Sequence, residues 1–182
     1  MNRGGFTIVE LLIVIVVVAI LAAISIVAYN GIQTRAENTT TINGVAAYAK
    51  ALALYGADNG QYPSTTVYPC LGSPTANACS KLSGTGGCAY AGATSVNTAF
   101  DASIAQYFGG TKPVISNQTM TCAGGEIYRG AYANKNDTNP KVLNLSVFLK
   151  NTTCPANFGP AKVLAENISV EVTSCYAAMP TL

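Results

Sequence analysis

The chain has 182 residues, with 10 basic and 8 acidic side chains and a net charge of +2, and it contains no histidine or tryptophan. The absence of histidine excludes histidine-dependent Ser or Cys triads and histidine-ligated metal sites. A net charge this small is too weak to steer DNA or an acidic membrane strongly. We therefore expect a protein that is not an enzyme and holds no metal or cofactor.

The N-terminus combines a short basic start with a long apolar stretch. Residues 1–5 include Arg3, and residues 6–29 are apolar except for Thr7, Glu10 and Ser25. As a helix, residues 6–29 would extend ~36 Å, enough to cross a bilayer core of about 30 Å. Because Arg3 precedes the stretch and no acid does, the positive-inside rule keeps the N-terminus in the cytoplasm and exports the chain after Tyr29.

Residues 30–58 change from all-apolar to amphipathic and continue the helix. The spacing predicts one helix from Phe6 to about Ala57, with Gly31 and Gly44 as weak points. The turn residues at 58–60 and the proline at position 63 end it. Its apolar positions recur every three or four residues: Ile42, Val45, Ala46, Ala49, Leu52 and Ala53.

The remainder, residues 59–182, predicts an α+β head. Residues 59–112 read as loops with one short helix at Asn97–Phe108, and residues 113–182 read as a small antiparallel sheet with a C-terminal disulfide region. The predicted strands are Glu126–Asn134 and Val142–Lys150, followed by a hairpin-like stretch at Val163–Leu164 and Ile168–Thr173.

All six cysteines lie after residue 69, and none forms a Cys-x-x-Cys motif. Widely spaced cysteines in a segment rich in Ser, Thr, Asn and Gly are typical of disulfides, here three, which indicates an oxidising compartment outside the cytoplasm. The alternative is free buried thiols. Six cysteines allow fifteen pairings, and spacing alone does not choose among them.

Residues 4–12, GGFTIVELL, resemble the class III signal of type IV pilins and pseudopilins, and residues 58–63, DNGQYP, resemble the helix exit of these proteins. The resemblance implies a pilin fold and a leader of residues 1–5. A prepilin peptidase would cut between Gly5 and Phe6 and methylate the new amine of Phe6. Cutting before the apolar stretch retains the membrane helix, whereas an ordinary signal peptide is cut after it.

Glu10 is the residue that most needs an explanation, because a carboxylate inside a membrane helix costs about 2.5–3.5 kcal/mol. The resemblance implies that its partner is the positive amine on Phe6 of a neighbouring subunit in the filament. The alternative is that Glu10 is stabilised only by the helix macrodipole, by about 0.3–1 kcal/mol.

By resemblance, many pilins carry a disulfide-bounded C-terminal region, which here implies a Cys154–Cys175 bond. For the other four cysteines we favour Cys70 with Cys88 and Cys79 with Cys122.

The resemblance implies a structural subunit of a type IV pilus that supports attachment, twitching motility or DNA uptake. Its partners would be copies of itself, the prepilin peptidase, the pilus assembly platform and its ATPases. It would lie in the cytoplasmic membrane as a precursor and outside the cell after assembly. The alternatives are a pseudopilin of a type II secretion or competence apparatus, and a minor tip pilin acting as an adhesin.

Two interpretations compete with the filament subunit. A plain membrane anchor, or a secreted protein cut near residues 23–25, explains the apolar stretch but leaves Glu10 unexplained. Binding to DNA would need a cluster of positive charge, and a solvated sheet surface is the favoured interpretation of the basic residues after position 128. They are Arg129, Lys135, Lys141, Lys150 and Lys162. Nothing in the sequence supports binding to a surface receptor.

Overall fold

The computed structural model describes residue 5 and residues 7–64, 68–72, 94–115, 118–122, 125–135 and 139–182. The chain divides into two compact units, Met1–Ala36 and Glu37–Leu182. Helix α1 (Ile8–Asn59) contributes residues to both units.

The first unit is the apolar part of α1. Its large apolar side chains between Ile8 and Ile26 range in exposure from 48% at Val16 and Val17 to 83% at Ile8. An 18-residue window of α1 has a mean hydropathy of 3.4, so the helix is long and apolar enough to cross a membrane. A continuous apolar surface of this kind indicates contact with lipid or with another protein.

The C-terminal end of α1 follows the sequence prediction and lies two residues beyond Ala57. Gly60 takes the left-handed conformation, with φ of 67°, and its N–H donates to the Gly56 carbonyl oxygen at 2.8 Å. This geometry satisfies a terminal carbonyl group, and glycine adopts it without steric cost.

The second unit holds short elements and then the main sheet. The first strands are β1 (Tyr68–Pro69) and β2 (Thr94–Ser95), which pair in parallel. Helix α2 (Thr98–Ile104) continues into a 3₁₀ turn at Ala105–Phe108. The Asn97 side chain caps α2 by accepting the Phe100 N–H at 3.0 Å. The short helix predicted at Asn97–Phe108 is therefore confirmed.

The remaining strands form one hairpin and one five-stranded antiparallel sheet. The hairpin pairs β3 (Thr119–Cys122) with β4 (Gly125–Tyr128). The sheet has the order β5-β6-β9-β8-β7. Its strands are β5 (Gly130–Lys135), β6 (Leu143–Lys150), β7 (Asn157–Phe158), β8 (Ala161–Ser169) and β9 (Val172–Ala178). The α+β class, a long N-terminal helix and an antiparallel sheet head, is confirmed.

Each face of this sheet carries a separate apolar cluster, because side chains alternate along the strands. On one face, fully buried residues of α1 pack against alternate residues of β6, with Val45, Tyr48, Leu52, Leu145, Val147 and Leu149 among them. On the other face, Met120 and Ile127 of the β3–β4 hairpin cover Tyr132, Phe148 and Val172.

Two polar contacts fix the start of the head's helix against the sheet region. The guanidinium of Arg129, 1% exposed, forms an ion pair with the Glu37 carboxylate. The Asn38 amide donates to the Lys150 carbonyl oxygen at 2.7 Å, and its Oδ1 accepts the Lys150 N–H at 3.0 Å. The Asn38 side chain therefore forms hydrogen bonds with both the N–H and the carbonyl oxygen of Lys150, the last residue of β6.

The single strand predicted at Glu126–Asn134 is wrong, because the segment is divided between two sheets. The break is at Arg129, whose N–H donates to the Gln118 carbonyl oxygen at 2.6 Å and whose side chain turns inward to Glu37. Nothing in the alternation of the sequence marks this break, since the partner residues lie far away along the chain.

The predicted boundaries of the last hairpin are also wrong. Its turn is at Val170 and Glu171, inside the stretch predicted as the strand Ile168–Thr173, and Ser169 pairs with Val172. Residues 164–168 of β8 are all exposed, so no alternation marks the strand. Val170 has a φ of 55°, a conformation that a β-branched residue rarely adopts, and the sequence gives no turn signal there.

α1 is continuous through Gly44, where glycine allows close packing. A Cβ at this position would lie 2.8 Å from Cγ1 of Ile115, so glycine lets the Ile115 segment approach the helix.

Cys154 and Cys175 are joined by a disulfide, the pair that the resemblance implies. Cys70 takes part in a disulfide, and so does Cys122. The predicted pairings Cys70–Cys88 and Cys79–Cys122 each include a cysteine outside the described residues and stay predictions.

Replacing Cys154 and Cys175 together by serine is expected to lower the free energy of unfolding of the head by roughly 3 kcal/mol. The reason is the loop entropy that the bond removes from the unfolded chain at a sequence separation of 21. Urea unfolding of the full chain in detergent measures it. A loss below about 1 kcal/mol would contradict this estimate.

Candidate functional site

The first turn of α1 is closed by reciprocal hydrogen bonds between Thr7 and Glu10. The backbone N–H and the hydroxyl of Thr7 donate to Oε2 of Glu10 at 2.9 and 2.8 Å, and the Glu10 N–H donates to the Thr7 hydroxyl oxygen at 3.2 Å. This arrangement is a capping box, which satisfies amide groups that the helix itself leaves without acceptors. It places Thr7 as the N-cap residue before Ile8, the first residue of α1.

The capping box gives Glu10 a partner within its own chain, which the sequence interpretation did not foresee. Both donors from Thr7 use Oε2, and among the described residues Oε1 of Glu10 receives no hydrogen bond. One oxygen, Oε2, is therefore held by the first turn of the helix. A signal for this was present, since Thr-x-x-Glu immediately before an apolar run is the sequence signature of a capping box.

The bond predicted to be cut lies next to this turn. Gly5 is exposed and precedes α1. Phe6 lies outside the described residues, so cleavage after Gly5, methylation of Phe6 and its pairing with Glu10 stay predictions.

Thr7→Val removes the hydroxyl of the box while keeping a β-branched side chain of similar shape. We expect the first turn of α1 to lose about 1 kcal/mol, the usual value of an N-cap. Amide hydrogen exchange of residues 8–11 in detergent micelles should become faster, while Thr7→Ser should behave like the wild type. Equal exchange in the valine and serine variants would show that the hydroxyl does not hold this turn.

The basic residues do not form one positive face. Arg129 is buried and paired with Glu37, and the Lys150 ammonium lies 3.0 Å from the Glu171 carboxylate. Lys141 and Lys162 are exposed. For Arg129 the favoured prediction of a solvated sheet surface is therefore wrong, as is its place in a DNA-binding face, and Lys150 is partly neutralised by its partner.

Glu171 connects three parts of the head. Its carboxylate accepts the Lys150 ammonium and, at 3.2 Å, the Thr121 N–H, while its carbonyl oxygen accepts the Asn151 N–H at 2.8 Å. The hydrogen bond from Lys150, and then that from Thr121, lower the pKa of Glu171. The β8–β9 turn is thereby joined to β3 and to the end of β6.

The lowered pKa of Glu171 predicts a pH dependence of stability. Its contribution is fully present above its unfolded pKa of about 4.3 and is lost as the pH falls through the lower folded value. Glu171→Gln should therefore be less stable than the wild type at pH 7, and this difference should shrink in acid. Thermal melts between pH 7 and pH 3 test it, with Glu126→Gln as an exposed strand control. A difference that grows in acid would contradict the assignment.

A cavity of about 310 Å³ lies on the sheet and is lined by residues of β6, β8 and β9. Glu166 is the one carboxylate among its lining residues, and its Oε1 accepts the Cys154 N–H at 2.9 Å. Cys175, which also lines it, is in the disulfide. These groups offer no nucleophile–base pair. Within the described ranges, no three His, Cys, Asp or Glu side chains come together in a way that could hold a metal ion.

The protein thus has an exposed apolar helix with a capped first turn, and an α+β head. Comparison with known proteins shows that its N-terminus matches a known sequence family. The sequence family described as the prokaryotic N-terminal methylation motif matches residues 1–26. The N-terminal signal that residues 4–12 resemble is therefore confirmed as a methylation motif of this family at residues 1–26.

Three similar proteins are each named type II secretion system core protein G. Those of Klebsiella michiganensis, Escherichia coli K12 and Pseudomonas aeruginosa are 34%, 33% and 36% identical to this chain over 64 residues. The match covers 35% of this chain and 44–45% of each of these relatives, so the chain spans less than half the length of the relatives it matches. None of the solved protein structures matches the chain.

Proposed function

We propose that this protein is a structural subunit of a type II secretion pseudopilus. The observation that carries the proposal is the similarity over 64 residues to type II secretion system core protein G, together with the methylation motif at residues 1–26. This similarity favours the alternative given by the sequence over a type IV pilus with attachment, twitching motility and DNA uptake. The motif itself is common to both kinds of subunit.

In the proposed cycle the precursor lies in the cytoplasmic membrane with residues 1–5 inside. A prepilin peptidase removes this leader, which puts a positive amine on Phe6. The exposed apolar surface of α1 is covered by lipid before assembly and by α1 of other copies afterwards. The filament is a homopolymer that stays in the periplasm, and the heads form its surface.

Glu10 would determine how far a new subunit advances into the filament. In the single chain its carboxylate is held by Thr7, which reduces the cost of a buried charge before assembly. Oε1, which has no donor among the described residues, would then accept the Phe6 amine of a neighbouring copy. Pairing the two charges supplies the register of the filament, since a misplaced subunit leaves both charges unpaired in apolar surroundings.

Deletion of the gene in its own host tests the proposal. The deleted strain should fail to release exported proteins into the medium while twitching motility and surface pili remain normal. Restoring the wild-type gene should restore export, and restoring Gly5→Ser, which blocks the predicted cleavage, should not. Loss of twitching or of pili with normal export would overturn the pseudopilus in favour of a type IV pilus.

A further inference from the structure

Three Asn-Gly pairs occur in the chain, at residues 30–31, 43–44 and 59–60. In such a pair the backbone nitrogen of glycine can attack the side-chain carbonyl carbon of asparagine, since glycine has no side chain to hinder the approach. Two of the pairs belong to the head, and their surroundings differ.

The pair at Asn43–Gly44 is inside α1 and against the core. Gly44 is buried, and the residues next to it, Val45 and Ile115, are 0% and 2% exposed. Bringing the Gly44 nitrogen onto the Asn43 side chain requires the helix to open in its middle. Such openings cost a large part of the global stability of a domain.

The pair at Asn59–Gly60 is at the last residue of α1, and both residues are exposed. Two hydrogen bonds hold its reacting groups: the Gly60 N–H donates to the Gly56 carbonyl oxygen at 2.8 Å, and the Asn59 amide donates to the Tyr55 carbonyl oxygen at 2.9 Å. Both acceptors are in the final turn, so fraying of that turn breaks both of these hydrogen bonds. Terminal fraying costs little free energy.

We propose that Asn59 is the deamidation site of the folded head, and that the last turn of α1 sets its rate. The Gly60 nitrogen forms a bond to Cγ of Asn59 and the side-chain amide leaves as ammonia, which gives a cyclic succinimide. Water then opens the ring to aspartate or isoaspartate, with one new negative charge. No oxidant or reductant is involved.

The product weakens the helix end that protected it. An aspartate at position 59 has no N–H to donate to the Tyr55 carbonyl oxygen, and two oxygen atoms face each other instead. The new charge also lies beside Asp58, which accepts the Tyr107 hydroxyl at 2.8 Å, and at the negative end of the helix dipole. Deamidation should therefore release the last turn of α1 and its contact with Tyr107.

The two head sites fall in separate tryptic peptides, residues 36–50 and 51–81, which makes the test direct. The full chain in detergent is incubated at mildly alkaline pH, then reduced, digested and analysed by mass spectrometry. In the folded protein we expect the 51–81 peptide to deamidate at least about tenfold faster than the 36–50 peptide. In urea the two rates should become similar, because both sites are Asn-Gly.

Two variants test separately which residue reacts and what the reaction product does to stability. Asn59→Gln should abolish the fast reaction in the 51–81 peptide, and Asn59→Asp should melt at a lower temperature than Asn43→Asp, which adds the same charge at an exposed mid-helix position. Equal rates for the two peptides in the folded protein would overturn the proposal. So would fast reaction of the 51–81 peptide in Asn59→Gln, since another residue would then be responsible.

Discussion

Glu10→Val is expected to leave the chain inserted in the membrane and cleaved, and to abolish filaments. Valine removes an insertion cost of about 2.5–3.5 kcal/mol, so insertion should become easier. It also removes the carboxylate that would pair with the Phe6 amine of a neighbouring copy, and that amine would then be buried without a partner. Filaments released from the periplasm by removal of the outer membrane and quantified by immunoblot measure the effect.

Thr7→Val is the matched control for Glu10→Val, because it breaks the capping box and keeps the carboxylate. If pairing between subunits is what matters, Thr7→Val should still form filaments while Glu10→Val forms few or none. Normal filaments from Glu10→Val would mean that Glu10 only caps its own helix. Loss of filaments from both variants to the same extent would mean that the helix start, and not the charge, is required.

Glu37→Gln is expected to destabilise the head strongly. It leaves the guanidinium of Arg129, which is 1% exposed, without a counter-charge. Breaking a buried pair from one side typically costs about 3–5 kcal/mol. Thermal and urea unfolding of the full chain in detergent measure the loss, and Glu126→Gln, an exposed glutamate on β4, is the control.

A double variant distinguishes the cost of leaving a buried charge unpaired from the cost of losing the hydrogen bonds of the pair. Glu37→Leu combined with Arg129→Met replaces the pair by apolar side chains, and it should recover most of the stability that Glu37→Gln loses. If the double variant is as unstable as the single one, hydrogen bonds of the pair and not the unpaired charge dominate. A loss below about 1 kcal/mol for Glu37→Gln would contradict the ion pair itself.

The sequence predicted the features that local chemistry determines. Asn59, Gly60 and Pro63 end a helix wherever they occur together, so the end of α1 was found within two residues. The apolar run before Tyr29 is unambiguous by length. The helix after Asn97 was found because its cap and its apolar face lie within a dozen residues.

The features that were missed depend on residues far apart in the chain. Arg129 looks like an exposed strand residue until Glu37, 92 residues earlier, is brought beside it. The turn at Val170 carries no turn residue and is held by Glu171, which binds Lys150 and Thr121 from two other strands. The Thr7–Glu10 box is a different case, since its signature is local and was overlooked next to the more specific methylation motif.

Intact-mass analysis of the mature protein from its own host tests the central claim most directly. The account predicts a chain that begins at Phe6, lighter than the full sequence by residues 1–5 and heavier by one methyl group. A mature chain that still begins at Met1, or one cut near residues 23–25, would contradict a prepilin-type subunit.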